Sequence, residues 1–211
     1  MSAPDPVAGV VLAAGLSTRM GRNKLLLEVG GEPVVARAVR SARDAGLDPV
    51  LVVVGHEADR VRAAIADLPV TTVTNPEPAR GIHTSLRVGF QALAERPDEP
   101  GAAVVMLGDM PLVSSAMVRR LVDGWRASRS HHPSLVISLY GEVVAPPILY
   151  GAPLFAELRL VDGDGCGKQV VKRHRAEALE VHWPAWALVD LDEPDDLVRV
   201  ERLLGRALEL S

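Results

Sequence analysis

An α/β domain with a mostly parallel sheet is what this sequence predicts, and three observations predict it. Short apolar runs alternate with stretches of helical periodicity from the first residues onward. Two of the runs, Val50 to Val54 and Ala102 to Leu107, are unbroken, as expected of strands covered on both faces. The segments between successive strands are long enough to hold crossover helices, so βαβ units with right-handed connections follow.

The elements follow in order. Val7 to Ala13 reads as a buried strand. Pro33 to Ala45 reads as a helix, with Pro33 suited to its first turn and Gly46 to its C-terminal cap. Val50 to Val54 is the next strand, Glu57 to Ala66 has apolar residues at helical spacing, and Val70 to Val73 is a short strand. Ile82 to Ala94 is predicted helical. Glu95 to Gly101 is a loop feeding the strand Ala102 to Leu107, and Ser114 or Ser115 caps a helix running to about Ser128. Ser134 to Leu139 and Val144 to Tyr150 read as strands, with Pro146-Pro147 confining the second to an edge or a bend. Phe155 to Leu160 and Lys168 to His174 are short helices, Ala178 to His182 and Leu188 to Asp190 are strands, and Pro194 to Leu208 is a closing amphipathic helix.

Composition narrows the function. The 211 residues, 48% of them hydrophobic, suffice for one domain, residues 1–211, with its own core. A net charge of −4 with only 3% aromatics provides neither the basic stripe nor the stacking platform of a nucleic-acid binder. Cys166 is the single cysteine, which excludes an internal disulfide or thiolate metal cage and reads as a small, partly buried residue. The six histidines have no metal-ligand spacing; His131-His132 falls in a polar loop. The first six residues lack a basic n-region, and no apolar run approaches the roughly 20 residues that cross a bilayer. A cytoplasmic protein without membrane contact is expected.

The most informative stretch runs from Val10 to Lys24, VVLAAGLSTRMGRNK. A strand stops in small residues and then meets Arg19, Gly21 and Lys24. Small residues let a backbone approach a ligand closely, and exposed N–H groups with two cations make an anion cradle. Lys24 precedes Leu25 rather than Ser or Thr, so this is not a P-loop. The glycine spacing is not that of a dinucleotide fingerprint either. The guest implied is a nucleoside triphosphate, its base against Leu12, Ala13, Ala14 and Gly15 and its phosphates against Arg19, Gly21 and Lys24. Gly55, Asn75 and Asp109 follow the next three predicted strands of the parallel set, and ligands of such sheets bind beyond the carboxyl ends of the strands.

Asp109 is the best candidate for a metal ligand. It ends a buried strand and precedes Met110-Pro111, whose proline shapes the turn; the alternative is a helix cap, for which Ser114 and Ser115 already serve. Asp190 and Asp192 alternate along a predicted strand and so share a face, where two like charges need a cation or donor between them. They complete a metal site or hold the acceptor, or Asp192 caps the last helix. Ser85 either hydrogen-bonds the ribose or base, or merely begins a helix. His83 either touches substrate or stands by.

LAAGLSTRMGRNK resembles the opening of the nucleotidyltransferases that cap molybdopterin with a nucleotide, the molybdenum cofactor cytidylyltransferase family. Gly81-Ile82-His83-Thr84-Ser85-Leu86, Gly108-Asp109-Met110-Pro111, Pro147-Ile148-Leu149-Tyr150, Gly163-Asp164-Gly165-Cys166-Gly167-Lys168 and Asp190-Leu191-Asp192-Glu193-Pro194 resemble that family's later motifs, in order. The resemblance implies a Rossmann-like three-layer α/β/α fold of nucleotidyltransferase (glycosyltransferase-A-like) type. It implies a nucleotide-binding half over about 1–130 and an acceptor-binding half over about 131–211. Transfer of CMP from CTP to the terminal phosphate of molybdopterin would follow, with Mg²⁺ on Asp109, Asp190 and Asp192. Lys24 and Arg19 would be charge clamps, and Met20, Gly55, Asn75, Gly81 and Ser85 would complete the nucleotide site. In the family an Ala-Ala-Gly opening goes with CTP and Ala-Gly-Gly with GTP, and Ala14 is the residue that differs. A molybdoenzyme receiving the cofactor is an implied partner, and the state is monomer or homodimer.

On the acceptor side Ala145-Pro146 and Cys166-Gly167-Lys168 depart from the family pattern. The acceptor is accordingly molybdopterin, a variant of it, or another phosphorylated metabolite. Alternatives are a GTP-using guanylyltransferase, a sugar- or polyol-phosphate nucleotidyltransferase, and a non-catalytic protein that delivers a finished cofactor.

Overall fold

The computed structural model describes residues 5–17, 21–128, 133–163, 166–189, 191 and 194–208. Strand β1 (Val7–Ala13) leads through a turn of 3-10 helix at Lys24–Leu26 into a small hairpin, β2 (Glu28–Val29) and β3 (Glu32–Pro33), and then into α1 (Val34–Asp44). Next come β4 (Val50–Val54), α2 (Ala58–Ala64), β5 (Thr71–Thr74), α3 (Ile82–Ala94), β6 (Ala102–Leu107) and α4 (Ser115–Ala127). An antiparallel pair, β7 (Leu135–Tyr140) and β8 (Val143–Gly151), is followed by α5 (Phe155–Leu160), α6 (Cys166–His174), β9 (Leu179–Trp183) and α7 (Pro194–Leu208).

Seven strands form one sheet in the order β5-β4-β1-β6-β8-β7-β9. β5, β4, β1 and β6 are parallel neighbours, β8 runs against β6 and β7, and β9 is parallel to β7. Alternation along β1 sorts its side chains to two faces, as the period of two requires. Val7, Val11 and Ala13 pack with Val35 and Val39 of α1 and Met117 and Leu121 of α4. Ala8, Val10 and Leu12 pack with Leu86, Phe90 and Leu93 of α3, Leu158 of α5 and Val170 of α6. Helices therefore cover both faces, giving the expected three-layer α/β/α fold. A smaller core seats Val200 of α7 on Leu27, Val29, Leu112 and Leu191. Among the described residues no helix is long and apolar enough to cross a membrane.

Most predicted elements form within a residue or two of their expected bounds. Ser114 Oγ accepts from the Met117 N–H at 3.3 Å and caps α4, and Gly46 follows α1 at φ +82°. Two expectations need correction. The edge or bend expected at Pro146-Pro147 holds only in part: beyond the prolines Ile148 to Gly151 lie inside the sheet, between β6 and β7. Only the half before them is bounded by β7 alone, and the β7–β8 register shifts between Val136 and Ser138. Proline has no N–H to give the ladder, and at this irregular point the proline carbonyls take side-chain donors of β7 instead: Ser138 Oγ donates to the Pro147 carbonyl at 2.7 Å and the Tyr140 hydroxyl to that of Pro146 at 3.0 Å. Burial raises the Tyr140 hydroxyl well above the ordinary phenol range. The second correction concerns Leu188 and Val189, predicted to begin a strand. They are irregular, because the segment serves α7, burying Val189 against Leu27 and Leu112 instead of pairing in the sheet. The β2–β3 hairpin was not foreseen, since two-residue strands have too little pattern to read.

Candidate active site

Parallel strands bring their carboxyl ends to one edge, and the ends of β1 and β6 frame a cleft of about 370 Å³ there. Beyond β1 the chain is held by short-range hydrogen bonds. Asn23, itself buried, accepts from the Leu25 N–H at 3.1 Å and caps the 3-10 turn, while the Lys24 N–H donates to Ser17 Oγ at 3.2 Å. This aims the Lys24 side chain across the cleft. Its Nζ lies 2.5 Å from Asp109 Oδ2, with the two side chains only 13% and 19% exposed. Asp109 follows β6 by two residues. The Gly108 N–H donates to the Leu12 carbonyl at 2.9 Å, and the Asp109 carbonyl accepts from Leu191 N–H at 3.2 Å. The backbone that carries the carboxylate is thus tied to β1 and to the segment leading to α7.

The opposite wall is the N-terminal end of α3 with the turn before it. Gly89 lets α3 sit this close to the sheet: a Cβ there would stand 2.6 Å from Val10 Cγ1. Asn75, beyond β5, pins the helix start. Its Nδ2 donates to Thr84 Oγ1 at 2.7 Å and Ser85 Oγ at 2.9 Å, and its Oδ1 accepts from Glu77 N–H at 2.9 Å. Ser85 therefore accepts from Asn75 while its own proton stays available for a ligand. At the mouth, Leu16 is 38% and Ile82 50% exposed. Two large apolar side chains left in water on the walls of one cleft suit a flat apolar guest.

Of the residues expected at the site, Leu12, Ala14, Gly15, Lys24, Gly81, Ser85 and Asp109 all line this cleft. Three others support it from behind. Ala13 points to the other face, into the core beneath α1 and α4. Asn75 is buried under α3. Gly55 backs Ala14 so closely that a Cβ on it would meet Ala14 Cβ at 2.8 Å and Pro78 Cβ at 3.0 Å. Gly21 is exposed and is not part of the wall. Arg19, Met20, Asp190 and Asp192 lie outside the described residues, as do His131 and His132. His83 is buried, 3.5 Å from Asp162 through Nε2, and is not among the lining residues. Leu16, Ser17, Leu25, Pro78, Ala79, Ile82 and Leu107 also line the cleft without having been singled out. Leu16, Ser17 and Ile82 lie within recognised motifs and Leu25 and Leu107 adjoin them; Pro78 and Ala79 carry no such signal.

Beside the cleft, Arg60 hydrogen-bonds the Glu57 carboxyl and holds it below the usual carboxylate range. Among the described residues no group of three or more His, Cys, Asp or Glu converges as a metal site. Asp109 nonetheless fits a cation, because an ammonium already sits against its oxygen. The arrangement sets a lysine ammonium and a carboxylate in contact in one cleft, with apolar walls beside them.

Residues 9–178 match the MobA-like NTP transferase domain. Rv0371c from Mycobacterium tuberculosis superposes with a TM-score of 0.80 at 31% identity, covering 94% of this chain and 98% of that one. A structure of the same protein in complex with manganese gives 0.72 at 30% identity, covering 95% and 100%. A nucleotidyl transferase from Methanothermobacter thermautotroptrophicus gives 0.80 at 25% identity, covering 96% and 99%. The bifunctional protein GlmU of Kineococcus radiotolerans is 36% identical over 152 residues, 71% of this chain. The chain spans only 30% of that protein's length.

Proposed function

Because the chain belongs to the MobA-like NTP transferase domain family, and is thus a nucleotidyltransferase, we propose that it transfers CMP from CTP to the terminal phosphate of molybdopterin. One observation carries the reading: Ala14, Lys24 and Asp109 meet in a single cleft. An acceptor phosphate oxygen attacks the α-phosphorus in line, the bond to the β-phosphate breaks, and pyrophosphate leaves. A phosphate monoester is already largely ionised at neutral pH, so no general base is required and positioning with charge neutralisation carries the catalysis. Lys24 holds phosphate oxygens, with Arg19 as a forked second clamp. The Ala14 methyl, backed by Gly55, narrows the base pocket, and Ser85 donates to the base or ribose. Asp109, with Asp190 and Asp192, would hold Mg²⁺, which supplies charge neutralisation to the triphosphate when bound. The manganese complex of Rv0371c supports a divalent cation in this fold. The protein would work in the cytoplasm as one domain, monomeric or dimeric, and hand its product to a molybdoenzyme.

A second reading, a sugar- or polyol-phosphate acceptor, is favoured by Ala145-Pro146 and Lys168 standing where the molybdopterin pattern has other residues. Lysine lacks the planar fork with which arginine grips phosphate or carboxylate.

Pyrophosphate release with Mg²⁺, each of the four nucleoside triphosphates, and either molybdopterin or a panel of sugar phosphates tests both readings. Release with CTP and molybdopterin is expected. Release only with a sugar phosphate would replace the acceptor, and equal rates with CTP and GTP would overturn the nucleotide. Asp109→Asn should keep the fold, being nearly isosteric, yet lower kcat by roughly a hundredfold or more. Transfer near the parent rate in saturating Mg²⁺ would remove Asp109 from the machinery, and a catalytically silent wild type would favour a delivery protein.

A further inference from the structure

We infer that the ammonium of Lys24 competes with the divalent cation for the carboxylate of Asp109, so that metal binds tightly only together with a triphosphate. This rests on the proposed nucleotidyl transfer and adds to it a coupling between two ligands.

The geometry that points here is the contact of Lys24 Nζ with Asp109 Oδ2 at 2.5 Å. The contact is mostly covered, so water screens it poorly and each added charge is felt strongly. Lys24 cannot simply withdraw its backbone. The Asn23 cap holds the turn, and the bond from its own N–H to Ser17 Oγ holds the residue. Any exchange is therefore made by rotating the long side chain.

A divalent ion on Asp109 would lie within a few ångströms of that ammonium, two like charges sharing one carboxylate. Asp109 is also the sole carboxylate among the described residues lining the cleft. A triphosphate removes the conflict, because its oxygens accept the ammonium and at the same time supply ligands to the metal. The coupling is reciprocal: whatever factor the triphosphate adds to metal affinity, the metal adds to triphosphate affinity. Lysine in this position thus keeps the carboxylate neutralised and discourages a bare cation from settling in the cleft.

Mn²⁺ is a suitable probe, titrated into the whole protein without nucleotide and followed by its paramagnetic resonance signal. Lys24→Met should bind Mn²⁺ about tenfold more tightly than wild type, or better, because it removes the competing charge. Lys24→Arg should stay as weak as wild type because the charge remains. The gain should vanish in Lys24→Met/Asp109→Asn, which places it on that carboxylate. Lys24→Gln serves if Lys24→Met fails to give the native circular dichroism spectrum. Equal Mn²⁺ affinity in wild type and the neutral variants, or a gain that survives Asp109→Asn, would overturn the inference. Pyrophosphate release by wild type, measured in parallel, separates the two readings. Turnover with equal affinities rejects the competition and keeps the function; competition without turnover of any nucleotide rejects the function and leaves the competition standing.

Discussion

Ala14 shows how one methyl group carries two duties. Only 4% exposed, it closes the cleft beside the expected base position and fills the space that Gly55 leaves behind it. A larger residue at position 55 would push Ala14 into the cleft, so the glycine and the alanine form one wall. Ala14→Gly opens room for a purine, and one methyl contact in a pocket is worth roughly 1–3 kcal/mol of discrimination. The ratio of kcat/KM for CTP over GTP should fall by about ten- to a hundredfold. An unchanged ratio would show that the wall does not touch the base. The LAAG motif marks Ala14 as notable in the sequence, whereas its contact with Gly55 joins residues of different strands and has no local signature.

Among the elements, α3 decides the shape of the site. Its apolar residues at helical spacing, Leu86, Phe90 and Leu93, fix the buried face, and Gly89 lets it approach β1. What sets its starting point is Asn75, which reaches from beyond β5 to Thr84, Ser85 and Glu77. Asn75→Ala would take from buried Ser85 its bond to the amide, at about 1–3 kcal/mol, and release the Glu77 N–H, while Thr84 keeps its bonds to the Glu77 and Gly81 carbonyls. The variant should melt several degrees lower, since 1 kcal/mol shifts Tm by about 2–4 °C in a chain of this size. Its KM for nucleotide should rise more than its kcat falls, because Ser85 loses its anchor while Lys24 and Asp109 stay in place. A calorimetric scan with steady-state kinetics checks both. Sequence spacing placed α3 and its cap region correctly; it gave no sign that Asn75 works behind the cleft wall.

At the scale of the molecule, the sheet carries the chain from the β1–β4–β5 side to the β7–β9 side without a break. Phe90 of α3 packs against Phe155 of α5 with ring centroids 5.1 Å apart and planes tilted by 58°, and meets Tyr150 of β8 edge-on at 6.2 Å. It joins α3, which walls the cleft, to β8 and α5 of the later part of the chain. Phe90→Ala should cost about 3–5 kcal/mol, and the loss should appear as one cooperative transition moved down by roughly 10 °C. Two separate melting transitions would mean that the halves fold independently, against the one-domain reading.

Periodicity, strand composition and the small-residue turn after Leu12 determined, from sequence alone, the α/β class, nearly every helix and strand, and the sheet edge at which Ala14, Lys24 and Asp109 meet. These are local properties, written within a dozen neighbouring residues, and tertiary packing had only to respect them. Packing alone decided the rest. It chose which motif residues face the cleft and which brace it, placed Ile148 to Gly151 inside the sheet despite the prolines, turned Leu188 and Val189 toward α7, and set the Lys24 ammonium against Asp109. Each of those outcomes depends on side chains far apart in the chain meeting across a strand or a core. No periodicity encodes that, because the partner is chosen by close packing and by the need to satisfy buried polar groups.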